Sequence, residues 1–142
     1  LAIEFFYGQN GLLVNEVSPR SHNSAHFSIE ACNSSQFDQQ LCIAANLPVP
    51  EPELIVPGAL MVNLLGLPKE TFLSIEERLS NLKKIDGAHL HWYGKNKEAP
   101  GRKLGHVTIL LYENDPQARR EEAFRGLESI RSVWPLNVTN SG

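Results

Sequence analysis

Cysteine is nearly missing from this chain: Cys32 and Cys42 are the only two in 142 residues. That excludes a disulfide-built scaffold, and with no secretion signal the default is two reduced thiols used in packing. No apolar run reaches the roughly 20 residues a membrane span needs. No charged-then-apolar leader opens the chain, so the expected location is the cytoplasm. Charge of one sign is lacking too: a net charge of −3 gives no broad pull on nucleic acid or membrane. There are no internal repeats and no low-complexity tract. Asn33-Ser34-Ser35 and Asn137-Val138-Thr139 match the glycosylation triplet, which has meaning only in a secreted chain. An initiator methionine is also missing. Leu1-Ala2-Ile3-Glu4-Phe5-Phe6 reads as the interior of a strand, so the expectation is a fragment of a longer protein.

What is there is an ordinary globular composition, 42% hydrophobic and 20% charged, enough for a real core. Ala2 to Tyr7 and Leu12 to Val17 flank Gly8-Gln9-Asn10-Gly11 and predict a hairpin. Ser18 to His26 is polar and reads as a loop. Ser35 to Ala45 has helical spacing at Phe37, Leu41, Ala44 and Ala45. Leu47 to Pro57 holds four prolines and reads as an extended connector. Ala59 to Leu65, Ala88 to Tyr93 and Leu104 to Tyr112 read as strands, and Ser74 to Leu82 as a charged amphipathic helix. Asp115-Pro116 opens a last helix with an apolar face of Ala123, Phe124, Leu127, Ile130 and Val133.

Three constellations carry chemistry. Glu4 and Glu16 are carboxylates embedded in apolar strands, where a charge needs a partner or water. With a three-residue turn, Gln9-Asn10-Gly11, pairs sum to 20 and Glu4 lies opposite Glu16 on one face, about 4.5–5.5 Å apart at Cβ. Like charges so placed repel unless a cation joins them, and oxygen ligands suit Mg²⁺. With a two-residue turn, Asn10-Gly11, the two fall on opposite faces. The bland alternative is a wet edge hairpin. Next, Pro19 to His26 packs Arg20, His22, Asn23 and His26 into eight residues. Arg20 suits a two-point grip on phosphate or carboxylate, and His22 and Asn23 suit a small oxyanion. His22 and His26 have the i, i+4 spacing of helical zinc ligands, but no third ligand has clear spacing and Pro19 argues for a loop; a hydrogen-bonded surface loop is the other reading. Last, Tyr93-Gly94-Lys95 and Pro100-Gly101-Arg102-Lys103-Leu104-Gly105-His106 set Lys95, Arg102 and Lys103 among glycines. Gly101 and Gly105 allow close backbone approach to a ligand, and the cations suit a phosphate. The alternative is a solvated basic turn.

In order and spacing, Glu4-Phe5-Phe6, Leu13 to Ser24, Ser35-Gln36-Phe37, Val62-Asn63-Leu64-Leu65-Gly66, Tyr93-Gly94-Lys95 and Pro100 to Val107 together resemble the C-terminal part of the 5-(carboxyamino)imidazole ribonucleotide synthases. These are ATP-grasp enzymes of purine synthesis, and the similarity runs from residue 1 to about 110. The resemblance implies an α+β fold: residues 1–50 as the end of an ATP-grasp domain and 51–142 as a small β-rich C-terminal domain with a terminal helix. It implies an ADP-forming ligase that uses ATP, Mg²⁺, bicarbonate and aminoimidazole ribonucleotide, with a homodimer left open. It implies Glu4 and Glu16 on Mg²⁺, Asn15 and Glu16 at the nucleotide, and Arg20, His22 and Asn23 at bicarbonate or the transferred phosphoryl group. Lys95, Arg102 and Lys103 would grip the ribonucleotide phosphate.

Departures from the family pattern are Ser18, Ser21, Ala25, Phe27 and Ala99. Ala25 takes a left-handed backbone less easily than the usual glycine, and Ala99 replaces a cation. The family's N-terminal domain, adenine-binding region and glycine-rich loop are not in these residues, so the expectation is no ATP turnover by this chain alone. The other class of reading is a non-catalytic ribonucleotide-phosphate-binding or dimerisation module.

Overall fold

The computed structural model describes residues 1–68, 73–95 and 98–136; the Asn137-Val138-Thr139 triplet lies outside them. The chain divides into two compact units, Leu1–Ile55 and Val56–Gly142. Among the described residues no helix is long and apolar enough to cross a membrane.

The first unit opens with an antiparallel hairpin, β1 (Ala2–Gly8) and β2 (Gly11–Ser18). A 3-10 turn at Asn23–Ala25 and two helices, α1 (Ser28–Ala31) and α2 (Gln36–Ala44), follow. The segment read as a plain loop therefore ends in helical structure. Ser28 explains it: its hydroxyl donates to the Ala25 carbonyl (2.6 Å) and accepts the Gln36 N–H (3.0 Å), tying the turn to the start of α2. Ser35 caps α2 in a reciprocal box, taking the Asp38 N–H while Asp38 takes the Ser35 N–H. Asn46 ends the helix with φ 52°, the one non-glycine residue at positive φ among those described. Ala25 has an ordinary φ, so the glycine usual there in the family is not needed for this backbone.

The second unit is an antiparallel sheet of order β3-β5-β4 with two helices: β3 (Gly58–Leu65), α3 (Ile75–Leu82), β4 (Ala88–Trp92), β5 (Lys103–Leu111) and α4 (Pro116–Val133). Asp115 caps α4 with Pro116 in its first turn, and Ser74 caps α3 in a second box with Glu77. Val62 and Leu90 both register with Val107, and Leu60 with Ile109. This alternation builds a core of Val62, Leu64, Leu67, Leu82, Leu104, Val107, Ile109, Leu111, Ile130 and Trp134. From α4, Ala123, Leu127 and Val133 pack on it. Phe124 does not: it is exposed, with Arg120 over its ring. It sits one position round from Ala123, so the predicted apolar face is narrower than drawn.

Candidate functional site

The hairpin register sets the first site. Near the turn Gly8 pairs with Gly11, Tyr7 with Leu12 and Phe5 with Val14; beyond it Glu4 pairs with Glu16 and Ile3 with Val17. The turn is therefore two residues, Gln9-Asn10, with Gly11 at φ +84°, and neither turn drawn from the sequence forms. Glu4 and Glu16 still face one another, because a bulge between Val14 and Glu16 adds one residue to β2 and restores the pairing. The extra residue is Asn15. A bulge sets two residues against one, and the Asn15 amide here donates to Glu4 Oε2 at 3.2 Å. In an unbroken strand, neighbours Asn15 and Glu16 would point to opposite faces. The bulge puts the amide with both carboxylates.

The loop after β2 comes back to this pair. His22 Nδ1 lies 3.5 Å from Glu4 Oε1, and its Nε2 lies 3.4 Å from Glu16 Oε1. The Ser24 hydroxyl lies 2.8 Å from Nδ1 and the Ser24 N–H points at it (3.4 Å), while Nε2 faces Glu16. Gln36 at the start of α2 fixes the loop. Its Oε1 accepts the His22 N–H (2.8 Å), and its Nε2 donates to the His22 carbonyl (2.9 Å) and faces His26 Nδ1 (2.7 Å). Gln36 was absent from the sequence-derived site; its signal was the capping box beside it. Ser18 donates to Glu16 Oε1 at 2.8 Å. That hydrogen bond is the main cause that holds the Glu16 carboxyl below its ordinary range; burial opposes it, and His22 and Arg20 add to the lowering.

Arg20 donates to the Ser21 carbonyl (3.0 Å) and lines a cavity of about 460 Å³ with Pro19, Ser34, Gln36 and Gln39. Glu4, Glu16, His22 and Asn23 do not line it. Asn23 opens the 3-10 turn, its carbonyl taking the His26 N–H at 3.1 Å. Among the described residues no three His, Cys, Asp or Glu side chains form a metal cage, and the His22–His26 pair has no third zinc ligand. Two facing carboxylates with an amide beside them do suit Mg²⁺, a hard ion that keeps water and phosphate oxygens as its other ligands.

The second unit carries the third constellation. Lys95 Nζ donates to the Lys103 carbonyl (2.6 Å) and lies 5.5 Å from the Tyr93 ring centre, whose hydroxyl meets His106 Nδ1 at 2.8 Å. Arg102 and Lys103 are exposed. The glycines do other work than expected. A Cβ on Gly105 would lie 2.4 Å from the His91 carbonyl oxygen, so Gly105 lets β4 approach β5 rather than a ligand. Gly101, at φ +76°, makes the turn before Arg102. The sequence reading missed Arg78 and Glu98, an ion pair between a buried guanidinium and a half-buried carboxylate, with Nη2 to Oε2 at 2.7 Å. Its sign was an arginine four residues before Leu82, on the apolar side of α3.

Residues 1–37 match the ATP-grasp domain family, and residues 59–121 match the phosphoribosylaminoimidazole carboxylase C-terminal domain family. These matches, with an antiparallel hairpin presenting paired carboxylates, define the class as ATP-grasp. The chain is 45% identical over 133 residues to the N5-carboxyaminoimidazole ribonucleotide synthase of Synechococcus elongatus, covering 94% of this chain and 33% of that protein. The N5-carboxyaminoimidazole ribonucleotide synthetase of Thermus thermophilus superposes with a TM-score of 0.71 at 33% identity, over 99% of this chain and 34% of that one. The Aspergillus clavatus synthase, solved in complex with ADP and 5-aminoimidazole ribonucleotide, gives 0.70 at 27% identity, over 92% and 33%. The chain belongs to the N5-carboxyaminoimidazole ribonucleotide synthase family. It spans about a third of the length of these relatives.

Proposed function

We propose that this chain supplies the phosphate-binding end of an ATP-dependent carboxylating ligase. In that reaction ATP phosphorylates bicarbonate to carboxyphosphate, ADP leaves, and the carboxyl passes to the exocyclic amine of 5-aminoimidazole ribonucleotide with release of phosphate. The unit Leu1–Ile55 is the end of the ATP-grasp domain and the unit Val56–Gly142 the small C-terminal domain, a boundary five residues past the 50/51 expected from the sequence. One observation carries the reading: Glu4 and Glu16 face each other across the hairpin with Asn15 bulged onto the same face.

Two like charges in that position favour a cation between them. Glu4 and Glu16 hold Mg²⁺, which when bound offsets the charge of the nucleotide phosphates. Asn15 and Ser18 each donate to one carboxylate and fix its rotamer. His22, braced by Gln36, keeps its ring between Glu4 and Glu16. Arg20 and Asn23 meet bicarbonate or the transferred phosphoryl group, where positioned donors stabilise developing charge. Lys95, Arg102 and Lys103 take the phosphate of the ribonucleotide.

Binding of Mn²⁺ and ADP, followed by electron paramagnetic resonance, tests the first half. The wild type takes up Mn²⁺ only with ADP, and Glu16→Gln weakens that uptake by about tenfold or more, the cost of losing one charged ligand. Equal uptake by wild type and a Glu4→Gln/Glu16→Gln double variant would refute the assignment.

A further inference from the structure

Arg78, 2% exposed, is the only Lys, Arg, Asp or Glu among the described residues that is buried. A guanidinium out of water is costly unless its donors are matched. Here Nη1 and Nη2 donate to the two oxygens of Glu98 at 3.0 and 2.7 Å, Nε points at the Ser74 carbonyl at 3.4 Å, and the group lies 4.1 Å over the Trp134 ring. Trp134 is itself fixed, its indole N–H donating to the Leu65 carbonyl at 2.7 Å.

Glu98 stands in the loop between Lys95 and Arg102. Its Oε1 also accepts the Leu67 N–H at 2.9 Å. From there the loop is laced to Gly66, just after β3, by Gly101 N–H to the Gly66 carbonyl (3.0 Å) and Gly66 N–H to the Arg102 carbonyl (2.8 Å), and closes on itself by Arg102 N–H to the Ala99 carbonyl (3.0 Å). The contact is close enough that a Cβ on Gly66 would lie 2.0 Å from the Ala99 oxygen. A carboxylate free among Lys95, Arg102 and Lys103 would compete with a phosphate for them; Arg78 occupies both of its oxygens. A well-packed apolar pair would serve stability as well as a buried ion pair does, so the pair must be accounted for by placement and charge.

We propose that Arg78 and Glu98 are positioning residues that hold the segment from Glu98 to Lys103 so that Arg102 and Lys103 converge with Lys95 on a phosphate monoester. This rests on the reading of those cations given above and adds the element that orders them.

The test is calorimetry on the chain with 5-aminoimidazole ribonucleotide and with its dephosphorylated riboside, for wild type, Arg102→Ala and the double variant Arg78→Met/Glu98→Met. The double variant, checked as folded by near-ultraviolet circular dichroism, loses about tenfold or more in ribonucleotide affinity, as misplaced binding groups do. Its riboside affinity stays that of the wild type. Wild-type ribonucleotide affinity in a folded double variant, with Arg102→Ala weakened, overturns this proposal alone. A wild type that binds no ribonucleotide, or an Arg102→Ala that binds as well as wild type, overturns the phosphate-grip reading and this proposal with it. If the double variant does not fold, hydrogen exchange on the wild type decides: the ribonucleotide slows exchange at the Leu67, Gly101 and Arg102 amides, and unchanged rates there overturn the proposal.

Discussion

In the first unit the buried positions are Ser18, Ser28, Ala31, Ser34 and Ser35; in the second they include Leu64, Leu82, Leu104, Val107, Ile130 and Trp134. Many large apolar side chains of the first unit lie at the surface, among them Phe5, Phe6, Leu13, Val14, Leu41 and Ile43. Adjacent Phe5 and Phe6 point to opposite faces of β1, so both hairpin faces are exposed. One unit holds its shape by local hydrogen bonds, caps and a bulge, the other by an apolar core that removes whole side chains from water. The difference teaches where each site gets its order. Glu4, Asn15, Glu16 and His22 are placed by short-range contacts on an open hairpin. Lys95 and Arg102 flank, and Lys103 opens, the strands of a packed sheet.

The contrast breaks if truncation in the two units costs the same. Leu104→Ala, in the core beside Trp134, is expected to lose about 2–5 kcal/mol through transfer and cavity. Leu41→Ala, 68% exposed on α2, stays within about 0.5 kcal/mol. Urea unfolding followed by far-ultraviolet circular dichroism measures both.

A smaller effect sharpens the same comparison at two glycines. A methyl on Gly66 meets the Ala99 backbone, whereas one on Gly8 meets nothing within 4 Å. Gly66→Ala should destabilise by about 1–3 kcal/mol and Gly8→Ala by no more than about 0.5 kcal/mol, read from thermal melts.

The smallest effect is a titration. Glu16 has its pKa lowered from 4.5, chiefly by Ser18. A carboxyl depressed in the folded state adds stability that is present above the unfolded value and lost as pH falls through the folded one. Ser18→Ala should move the Glu16 carboxyl resonance midpoint upward, and ¹³C NMR detects it. The Ser35 hydroxyl lowers Asp38 and the Ser74 N–H lowers Glu77 in the same sense, so the caps of α2 and α3 weaken together in acid.

Much of the fold was legible because it rests on local signals. Apolar runs between turn residues, and alternation in Ala88 to Tyr93, marked the strands, and Ser35, Ser74 and Asp115 marked the helix starts. The Glu4–Glu16 pairing was legible too, though its route was not. The turn closes on Gln9-Asn10, and the register is restored by a bulge at Asn15, which no short-range pattern announces. α1 went unread because Ser28 and Gln36, not an apolar period, hold it. Arg78 read as one more charge on a charged helix; its partner is 20 residues away, on a loop.

By itself the sequence determined most of the strands and the longer helices, which residue types stand together in the three constellations, and the family resemblance, since propensity, capping and residue type act over a few residues. Tertiary structure alone decided that Asn15 joins both glutamates on one face, that Gln36 braces His22, that Gly105 admits a neighbouring strand, and that Arg78 neutralises Glu98. Those outcomes depend on groups meeting across the chain at distances near 3 Å, and only the folded register and packing bring them there.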